Sequence, residues 1–345
     1  MPFRDVVGHT RLIDLLSRSV AGGTLPPSLL FAGPAGIGKH LAALAVAQAL
    51  NCLKGSAFKV QGSGFVRQGS GVDACGTCAS CTRIARGVHP DVLLVTPGDS
   101  GAIKIEQVRD IVDRAHYRPF EGRRRVVIID EADALVHPAQ NALLKTLEEP
   151  TPSSVFILVT SRPDMLLPTV LSRCPQLRFR PLSAIDIASA LMARGHNETD
   201  ARAVAATADG SLGHAMQASA GELVESRDLA ERVLAQAAAQ NDPARRIDSA
   251  KELVAKVAGG ATEREQLATH LRAMAVLLRD VEVLATHADE RTLANPDVRP
   301  ALERLANTYQ GERGTRAFAA VDRALFALQR NAGVKLVADW LVLQL

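Results

Sequence analysis

The chain has 345 residues, a length at which two or three domains are expected. Hydrophobic residues make up 47% of it, and the formal net charge at pH 7 is only +3, which excludes a chain that binds nucleic acid through a uniformly basic surface. It has no apolar run of about 18 residues, and Met1 to Thr10 lack the apolar core of a signal peptide. We therefore expect a cytoplasmic protein with reduced cysteines and no membrane contact.

Short apolar runs alternate with helical patterns up to about residue 180. The predicted strands are Leu29–Gly33, Val92–Thr96, Val126–Asp130, Val155–Thr160 and Leu177–Arg180. The helical patterns between them include His40–Leu50, Ile105–Ala115 and Ala139–Glu148. Most strands are apolar almost throughout, as parallel strands covered on both faces are, whereas Leu177–Arg180 alternates and is expected at an edge. The order predicts an α/β fold with a doubly covered sheet.

The strand pattern ends near residue 181. Ser183, followed three residues later by Asp186, resembles a capping box that begins a helix. We expect a small helical unit over 183–222 and an Ala- and Leu-rich bundle of about four to six helices over 223–345.

A glycine-rich loop follows the first predicted strand. Residues 33–40 read Gly-Pro-Ala-Gly-Ile-Gly-Lys-His and lead into a helical pattern. In that order the glycines let backbone N–H groups turn toward a phosphate, and the helix N-terminus and a lysine add positive charge. The sequence therefore predicts a phosphate-binding P-loop formed by Gly33, Gly36, Gly38 and Lys39.

His40 stands where this motif has Ser or Thr, whose hydroxyl binds the magnesium ion of a nucleotide. Magnesium prefers oxygen ligands, so an imidazole is a poor substitute. Two interpretations stay open: His40 removes the magnesium site, or it points to solvent and a water molecule replaces the hydroxyl. Binding of ATP or ADP is open, whereas magnesium binding and efficient hydrolysis are not expected.

Acidic residues end the third predicted strand. In a P-loop enzyme Asp130 would hold magnesium through water, and Glu131 would polarise the attacking water. The alternative is that these carboxylates only cap the next helix. Thr160, at the end of the following strand, is predicted either to contact a γ-phosphate or to make a simple strand-end hydrogen bond.

Clustered cysteines predict a structural metal site. The expected zinc ligands are Cys52, Cys75, Cys78 and Cys81. A stretch of 22 residues separates the first two, so His89 stays open as a weaker fourth ligand. That stretch contains Gly55–Gly71, a Gly-, Ser- and Gln-rich run that we expect to be a mobile insertion.

Further segments make the chain resemble AAA+ clamp-loader subunits. They are Val7-Gly8-His9, residues 141–150 (Asn-Ala-Leu-Leu-Lys-Thr-Leu-Glu-Glu-Pro) and residues 167–174 (Leu-Pro-Thr-Val-Leu-Ser-Arg-Cys). The resemblance covers about residues 1–215. It implies an AAA+ P-loop domain over 1–182 with a four-cysteine zinc module at 52–81, a small helical lid over 183–222, and a C-terminal helical collar over 223–345 that joins subunits into a ring.

In this family the arginine of the Ser-Arg-Cys motif reaches into the ATP site of a neighbouring subunit as an arginine finger. The matching residue is Arg173, and the alternative is a surface arginine paired with a local carboxylate. Where the family lid has arginine in Gly-Ser-x-Gly-Arg, this chain has His214. Since His40 and His214 both weaken the chain's own ATP site, the pattern resembles a subunit that donates a finger without hydrolysing ATP. An active gamma/tau-type motor is the alternative.

The resemblance also implies partners. These are gamma/tau and delta subunits in a hetero-pentamer, a sliding clamp, and primer–template DNA held by the assembly through its shape and backbone. The run Arg123-Arg124-Arg125 is expected to be a solvated turn, with DNA contact as the alternative.

Overall fold

The structure of the chain is a computed structural model. The residues it describes are 1–54, 71–98, 100–217, 220–240, 242–254, 263–286, 293, 295, 298–330 and 332–345. Apart from Gly71, the predicted insertion Gly55–Gly71 lies outside the described residues. The chain forms two compact units, Met1–Asp186 with Gly210–Gly213, and Ile187–Asp209 with His214–Leu345. Among the described residues, no helix combines the length and apolar character that crossing a membrane requires.

The first unit is built on a five-stranded parallel sheet. Its strands are β1 Ser28–Ala32, β2 Val92–Val95, β3 Arg125–Ile129, β4 Ser154–Thr160 and β5 Gln176–Arg178. Their spatial order is β2-β3-β4-β1-β5, so β1 lies between β4 and β5, with Leu30 opposite Leu158 on one side and Gln176 on the other. The five predicted strands are confirmed, and the alternating one lies at an edge as expected.

Helices cover both faces of this sheet. They are α1 Thr10–Ala21, α2 Lys39–Asn51, α3 Ala79–Ala85, α4 Ile105–Ala115, α5 His137–Glu148 and α6 Pro168–Leu171. Successive strand residues point to opposite faces, so Phe31 packs with apolar residues of α1, α2 and α3, whereas Leu30 packs with those of α4, α5 and α6. The doubly covered α/β fold is therefore confirmed.

A buried carboxylate holds the segment between α4 and β3. Asp91, just before β2, is fully buried. Its oxygens accept hydrogen bonds from Phe120 N at 2.7 Å, Glu121 N at 2.9 Å, Gly122 N at 2.7 Å and the Arg125 guanidinium at 2.9 Å. Burial alone would raise the pKa of Asp91, but these donors outweigh it and hold the pKa at about 2. The segment is thus fixed by one ionised group.

Arg125 is buried beside Asp91, and its guanidinium also donates to the carbonyl oxygens of Arg114 and Arg118. The expectation that Arg123-Arg124-Arg125 forms a solvated turn is therefore wrong for Arg125. The physical reason is the partner: a buried guanidinium is tolerated where a carboxylate and carbonyl groups replace its water.

The regular elements of the second unit are all helices among its described residues. After α7 Ala184–Met192, which begins in the first unit and is capped by Ser183, come α8 Glu198–Thr207 and α9 Leu212–Gln217. The remaining helices are α10 Ala220–Ala239, α11 Pro243–Val254, α12 Glu263–Ala285, α13 Arg299–Ala306, α14 Glu312–Gln329 and α15 Val334–Gln344. They share one apolar core around residues such as Leu277 and Leu341. Helices after residue 183 are thus observed, and their roles as lid and collar stay predictions.

Replacing Asp91 with asparagine should destabilise the first unit. An amide cannot balance the buried Arg125 charge, so we expect Asp91→Asn to lower the free energy of unfolding at pH 7 by about 3 kcal/mol. The pKa of about 2 lies below the unfolded value near 3.9, so the carboxylate stabilises the fold above about pH 4 and loses this effect as the pH falls through 2. Urea unfolding at pH 7 and pH 3 measures both effects.

Asp110→Asn is the matched control. Asp110 is exposed and lies 3.7 Å from the Arg114 guanidinium, so its loss should change stability by less than about 1 kcal/mol. Equal unfolding free energies for the Asp91→Asn variant and the unsubstituted chain at pH 7 would contradict the assignment.

Candidate functional site

The predicted P-loop lies at the carboxyl end of β1. Gly33 N donates to the carbonyl oxygen of Thr160 at 3.2 Å, which ties the loop to β4. Gly36 and Gly38 have φ values of 71° and 100°, a left-handed conformation that favours glycine. Helix α2 begins directly afterwards, so its N-terminal N–H groups face the loop. The strand, loop and helix therefore have the geometry that phosphate binding requires.

Lys39 is folded back onto this loop. Its Nζ donates to the carbonyl oxygen of Gly33 at 2.6 Å and to that of Pro34, and the residue is only 6% exposed. Burial lowers the pKa of Lys39 to about 8, although the charges of Asp130 and Asp133 oppose this. A phosphate bound here would have to draw the ammonium group away from these carbonyl oxygens.

The Gly-Ser-Leu-Gly stretch lies against the P-loop within the same unit. Gly213 N donates to the carbonyl oxygen of Gly36 at 2.8 Å. A Cβ on Gly213 would come within 2.9 Å of Gly36 Cα, and one on Gly36 would overlap Ser211 Oγ. Close backbone approach is the physical reason for glycine at positions 36 and 213.

His9 of the N-terminal box also contacts the loop. Its Nε2 lies 3.0 Å from the carbonyl oxygen of Ile37, and its ring packs edge-on against Phe179. Burial lowers the pKa of His9, so the ring is neutral at neutral pH and donates from Nε2. The resemblance named this box, and the structure assigns it a contact that supports the P-loop.

His40 faces the acidic end of β3. Its Nδ1 lies 2.9 Å from Asp130 Oδ2, a close approach without the angles of a good hydrogen bond. Nδ1 therefore faces Asp130 rather than solvent, while the side chain as a whole is 33% exposed. Glu131 follows with φ of 50°. Partial burial, together with Asp130 and Asp133, raises the pKa of Glu131 above its ordinary value.

Asp133 organises the end of β4, a role that the sequence did not suggest. It accepts hydrogen bonds from Thr160 Oγ1 at 2.7 Å and from the Arg162 guanidinium at 2.9 and 2.7 Å. The Thr160 hydroxyl in turn accepts from Arg162 N at 3.0 Å. The strand-end hydrogen bond is thus observed, and contact of Thr160 with a γ-phosphate stays a prediction.

His214 is half-buried and lies in the second unit. Burial and, to a smaller extent, the positive charge of Arg272 together lower the pKa of His214 to about 4. The ring is therefore neutral at neutral pH. It cannot replace the positive charge that an arginine would bring to this position.

Arg173 lies at the amino edge of the sheet, opposite the P-loop. Its carbonyl oxygen accepts a hydrogen bond from Ser28 Oγ at 2.9 Å, at the first residue of β1, and two residues later Pro175 O accepts from Leu30 N at 3.0 Å. The guanidinium pairs with Glu148 and donates to Thr169 O at 2.8 Å. The side chain is 32% exposed, so it is reachable from solvent.

Four cysteine sulfurs gather in one cluster. The Sγ atoms of Cys52, Cys75, Cys78 and Cys81 all lie within 4.8 Å of one another. In a tetrahedral zinc site with Zn–S bonds of about 2.3 Å, sulfur atoms are about 3.8 Å apart, so the cluster fits with small adjustments. Cys75 N donates to Cys52 Sγ at 3.4 Å, and Cys78 N to Cys75 Sγ at 3.2 Å. The separation of Cys52 in sequence does not separate it in space.

His89 is engaged elsewhere. Its Nδ1 accepts from Asp91 N at 3.1 Å, and its Nε2 lies 3.1 Å from Ser80 Oγ and 3.4 Å from Glu121 Oε1. The described cluster therefore contains Cys52 rather than His89.

Buried Asp73 joins the cysteine cluster to the N-terminal segment. Its carboxylate accepts from Phe3 N at 2.7 Å and from the Arg4 guanidinium at 3.3 Å. Arg4 also donates to Cys75 O at 2.9 Å. Helix α2 makes a second connection, because Gln48 Nε2 donates to Cys81 O at 2.8 Å. A metal at the cluster would therefore stabilise the segment that leads to His9.

Comparison with known proteins identifies relatives of this chain. A family model described as "DNA polymerase III, delta subunit" matches residues 8–183. The chain is similar to "DNA polymerase III subunit delta'" of Bacillus subtilis, with 36% identity over 172 residues, covering 50% of this chain and 47% of that protein. It is also similar to "DNA polymerase III subunit tau" of Salmonella typhimurium, with 33% identity over 220 residues, covering 62% of this chain and 32% of that protein.

The matched regions therefore span between about a third and a half of the length of these two relatives. Among solved structures, a "DNA polymerase III, gamma subunit-related protein" of Thermotoga maritima matches with a TM-score of 0.46 and 17% identity, covering 95% of this chain and 96% of that one.

The cysteine cluster predicts bound zinc. We expect the purified chain to carry about one zinc ion, and Cys75→Ser or Cys78→Ser to reduce the metal content to near zero, because a tetrahedral site needs its four ligands. Removing the metal with a chelator should also lower the melting temperature, since Cys75 and Cys81 anchor Arg4 and Gln48. Elemental analysis and thermal unfolding measure the two effects.

Cys174→Ser is the control, because Cys174 is buried in a different part of the fold and should leave the zinc content unchanged. A metal-free chain after purification in zinc-containing buffer would contradict the prediction.

Proposed function

Because the chain belongs to the DNA polymerase III delta-subunit family and is a clamp-loader AAA+ protein, we propose that it acts as a delta-prime type of subunit. In this role it donates Arg173 to the ATP site of a neighbouring motor subunit and hydrolyses little ATP itself. It assembles with gamma/tau and delta subunits to load a sliding clamp onto primed DNA. The helices after residue 183 supply the lid and the ring-forming collar.

The position of Arg173 is the observation that carries this proposal. Its backbone is bound at the amino end of β1, whereas the P-loop follows the carboxyl end of the same strand. Five strand residues extend about 16 Å, so the guanidinium is remote from the chain's own phosphate loop. A cation at this edge can act only on a nucleotide held by another protein.

Glu148 holds the guanidinium in the isolated chain. The pair is partly exposed, with side-chain exposures of 32% for Arg173 and 47% for Glu148. Exposed ion pairs contribute about 0 to 1 kcal/mol, so releasing Arg173 to a phosphate costs little. The ion pair of Arg173 with a local carboxylate was expected as the alternative to an arginine finger. Both can hold if Arg173 leaves Glu148 for a phosphate group when the subunits assemble.

The chain's own pocket supports weak turnover at most. Gly36, Gly38 and Lys39 preserve a phosphate-binding loop, but an imidazole rather than a hydroxyl faces Asp130. Glu131 keeps the carboxylate that a hydrolytic site would use, which makes it a remnant of such a site. We therefore propose that ATP or ADP can bind here without efficient magnesium-dependent hydrolysis.

Removing the finger should affect a neighbouring subunit. In an assembly reconstituted with gamma and delta subunits, Arg173→Ala should slow hydrolysis at the adjoining site by about a thousandfold, because it removes positive charge from the transition state. Single-turnover ATP hydrolysis and clamp loading on primed DNA measure the effect.

Two variants control for nonspecific damage. Arg178→Ala removes an exposed arginine at the other end of β5, and Glu148→Gln removes only the resting partner of Arg173. Both should load clamps normally. If the assembly with Arg173→Ala loads clamps at the normal rate, the proposal is wrong, and the chain is a scaffold that takes no part in the ATP cycle.

Restoring a hydroxyl should restore magnesium dependence. The unsubstituted chain should bind ATP with nearly the same affinity in magnesium as in EDTA. The His40→Thr variant should bind ATP about tenfold more tightly in magnesium than in EDTA, because a hydroxyl is a suitable magnesium ligand. Titration of a fluorescent ATP analogue measures both, with Lys39→Ala as the weak-binding reference.

Vigorous magnesium-dependent hydrolysis by the unsubstituted chain alone, abolished by Lys39→Ala, would instead support the gamma/tau-type motor.

A further inference from the structure

A rigid aromatic and basic surface lies between α4 and β3, away from the P-loop. We call the exposed side chains of Arg114, Tyr117, Arg118, Phe120 and Arg123 the 114–123 surface. Phe120 is 84% exposed, the highest value among the large hydrophobic side chains that the structure describes, and Tyr117 is 70% exposed. Two aromatic rings this exposed, three residues apart, bury little of their surface in the fold.

The backbone that presents these rings is fixed. The N–H groups of Phe120, Glu121 and Gly122 all donate to buried Asp91, and the Arg125 guanidinium holds the carbonyl oxygen of Arg118 at 3.2 Å. The backbone around Phe120 is thus anchored by the buried Asp91–Arg125 ion pair. A preorganised surface of this kind loses little conformational entropy when a ligand binds.

The charge of this surface is positive and largely uncompensated. Residues 114–125 contain five arginines and a single acidic residue, Glu121. The Glu121 carboxylate is already paired with Arg83 of α3 at 2.8 Å. Asp91 neutralises Arg125, but Arg118 and Arg123 are exposed and make no ion pair with a described residue. Two positive charges therefore flank Phe120.

We propose that the 114–123 surface binds single-stranded nucleic acid, with bases stacked on Tyr117 and Phe120 and phosphates paired with Arg118 and Arg123. Each nucleotide of a single strand offers one flat base and one phosphate, so the polymer satisfies rings and cations together. A duplex keeps its bases stacked within the helix and cannot use the rings. A protein partner would need matching carboxylates for both arginines as well as an apolar cleft.

This inference is independent of the proposed function, because it concerns the isolated chain. The test is fluorescence anisotropy of a labelled 20-nucleotide oligo(dT) titrated with the full chain at several salt concentrations. We expect binding that weakens with salt, and at least a tenfold loss of affinity in the double variant Tyr117→Ala, Phe120→Ala. In Arg118→Gln, Arg123→Gln the slope of log K against log salt should fall by about 0.7 for each arginine removed.

Matched controls lie on the second unit. Phe318 and Arg323 are an exposed ring and an exposed arginine of α14, so Phe318→Ala and Arg323→Gln should bind like the unsubstituted chain. All substituted side chains are exposed, and an unchanged melting temperature confirms that the variants fold.

Three results would overturn the proposal. The first is that oligo(dT) does not bind at 50 mM salt, and the second is that the control variants lose as much affinity for oligo(dT) as the double variants do. The third is that a 20-base-pair duplex binds as tightly as the single strand and loses as much affinity when Phe120 is replaced. The Tyr117→Ala, Phe120→Ala variant could instead lose binding to a protein while its binding of oligo(dT) is unchanged. That result would assign the surface to a protein partner and would also reject the proposal.

Discussion

The direction of strand β1 is the constraint on which the functional geometry depends. Parallel strands place all their carboxyl ends at one edge of a sheet and all their amino ends at the other. The P-loop follows the carboxyl end of β1, whereas Arg173 is hydrogen-bonded to Ser28 at its amino end. One strand thus separates the chain's phosphate loop from the partly exposed guanidinium of Arg173, and the two cannot serve the same nucleotide.

The phosphate loop is maintained as a structural part of the first unit. Lys39 satisfies the carbonyl groups of its own loop, Gly213 is hydrogen-bonded to Gly36, and His9 supports Ile37. All of these contacts are made between groups of the first unit itself, so the loop contributes to the stability of the fold. A role in the fold is a reason for glycine at these positions that does not depend on a magnesium-binding hydroxyl, in whose place this chain has the imidazole of His40.

Features that depend on local periodicity could be predicted from the sequence. Apolar runs located the five strands, and helical spacing gave Ile105–Ala115 with the bounds that α4 has. The cysteine spacing likewise predicted a cluster that the structure brings together.

Long-range polar pairs could not be predicted, because no periodicity marks them. Asp91 and Arg125 lie 34 positions apart, and Asp133 and Arg162 lie 29 apart. Each residue read alone looks like an ordinary surface charge. The contact of Arg173 with Glu148 likewise depends on how α5 and α6 pack, so the sequence could name the arginine but not its resting partner.

The most direct test of the account is a structure of the reconstituted clamp-loader assembly with ADP and aluminium fluoride, which imitates the transferred phosphoryl group. The account predicts that Arg173 has left Glu148 and contacts the fluoride group in the neighbouring subunit's ATP site, with no such group bound at His40. An Arg173 guanidinium still paired with Glu148 and remote from every nucleotide, or a complete transition-state complex on the chain's own P-loop, would contradict it.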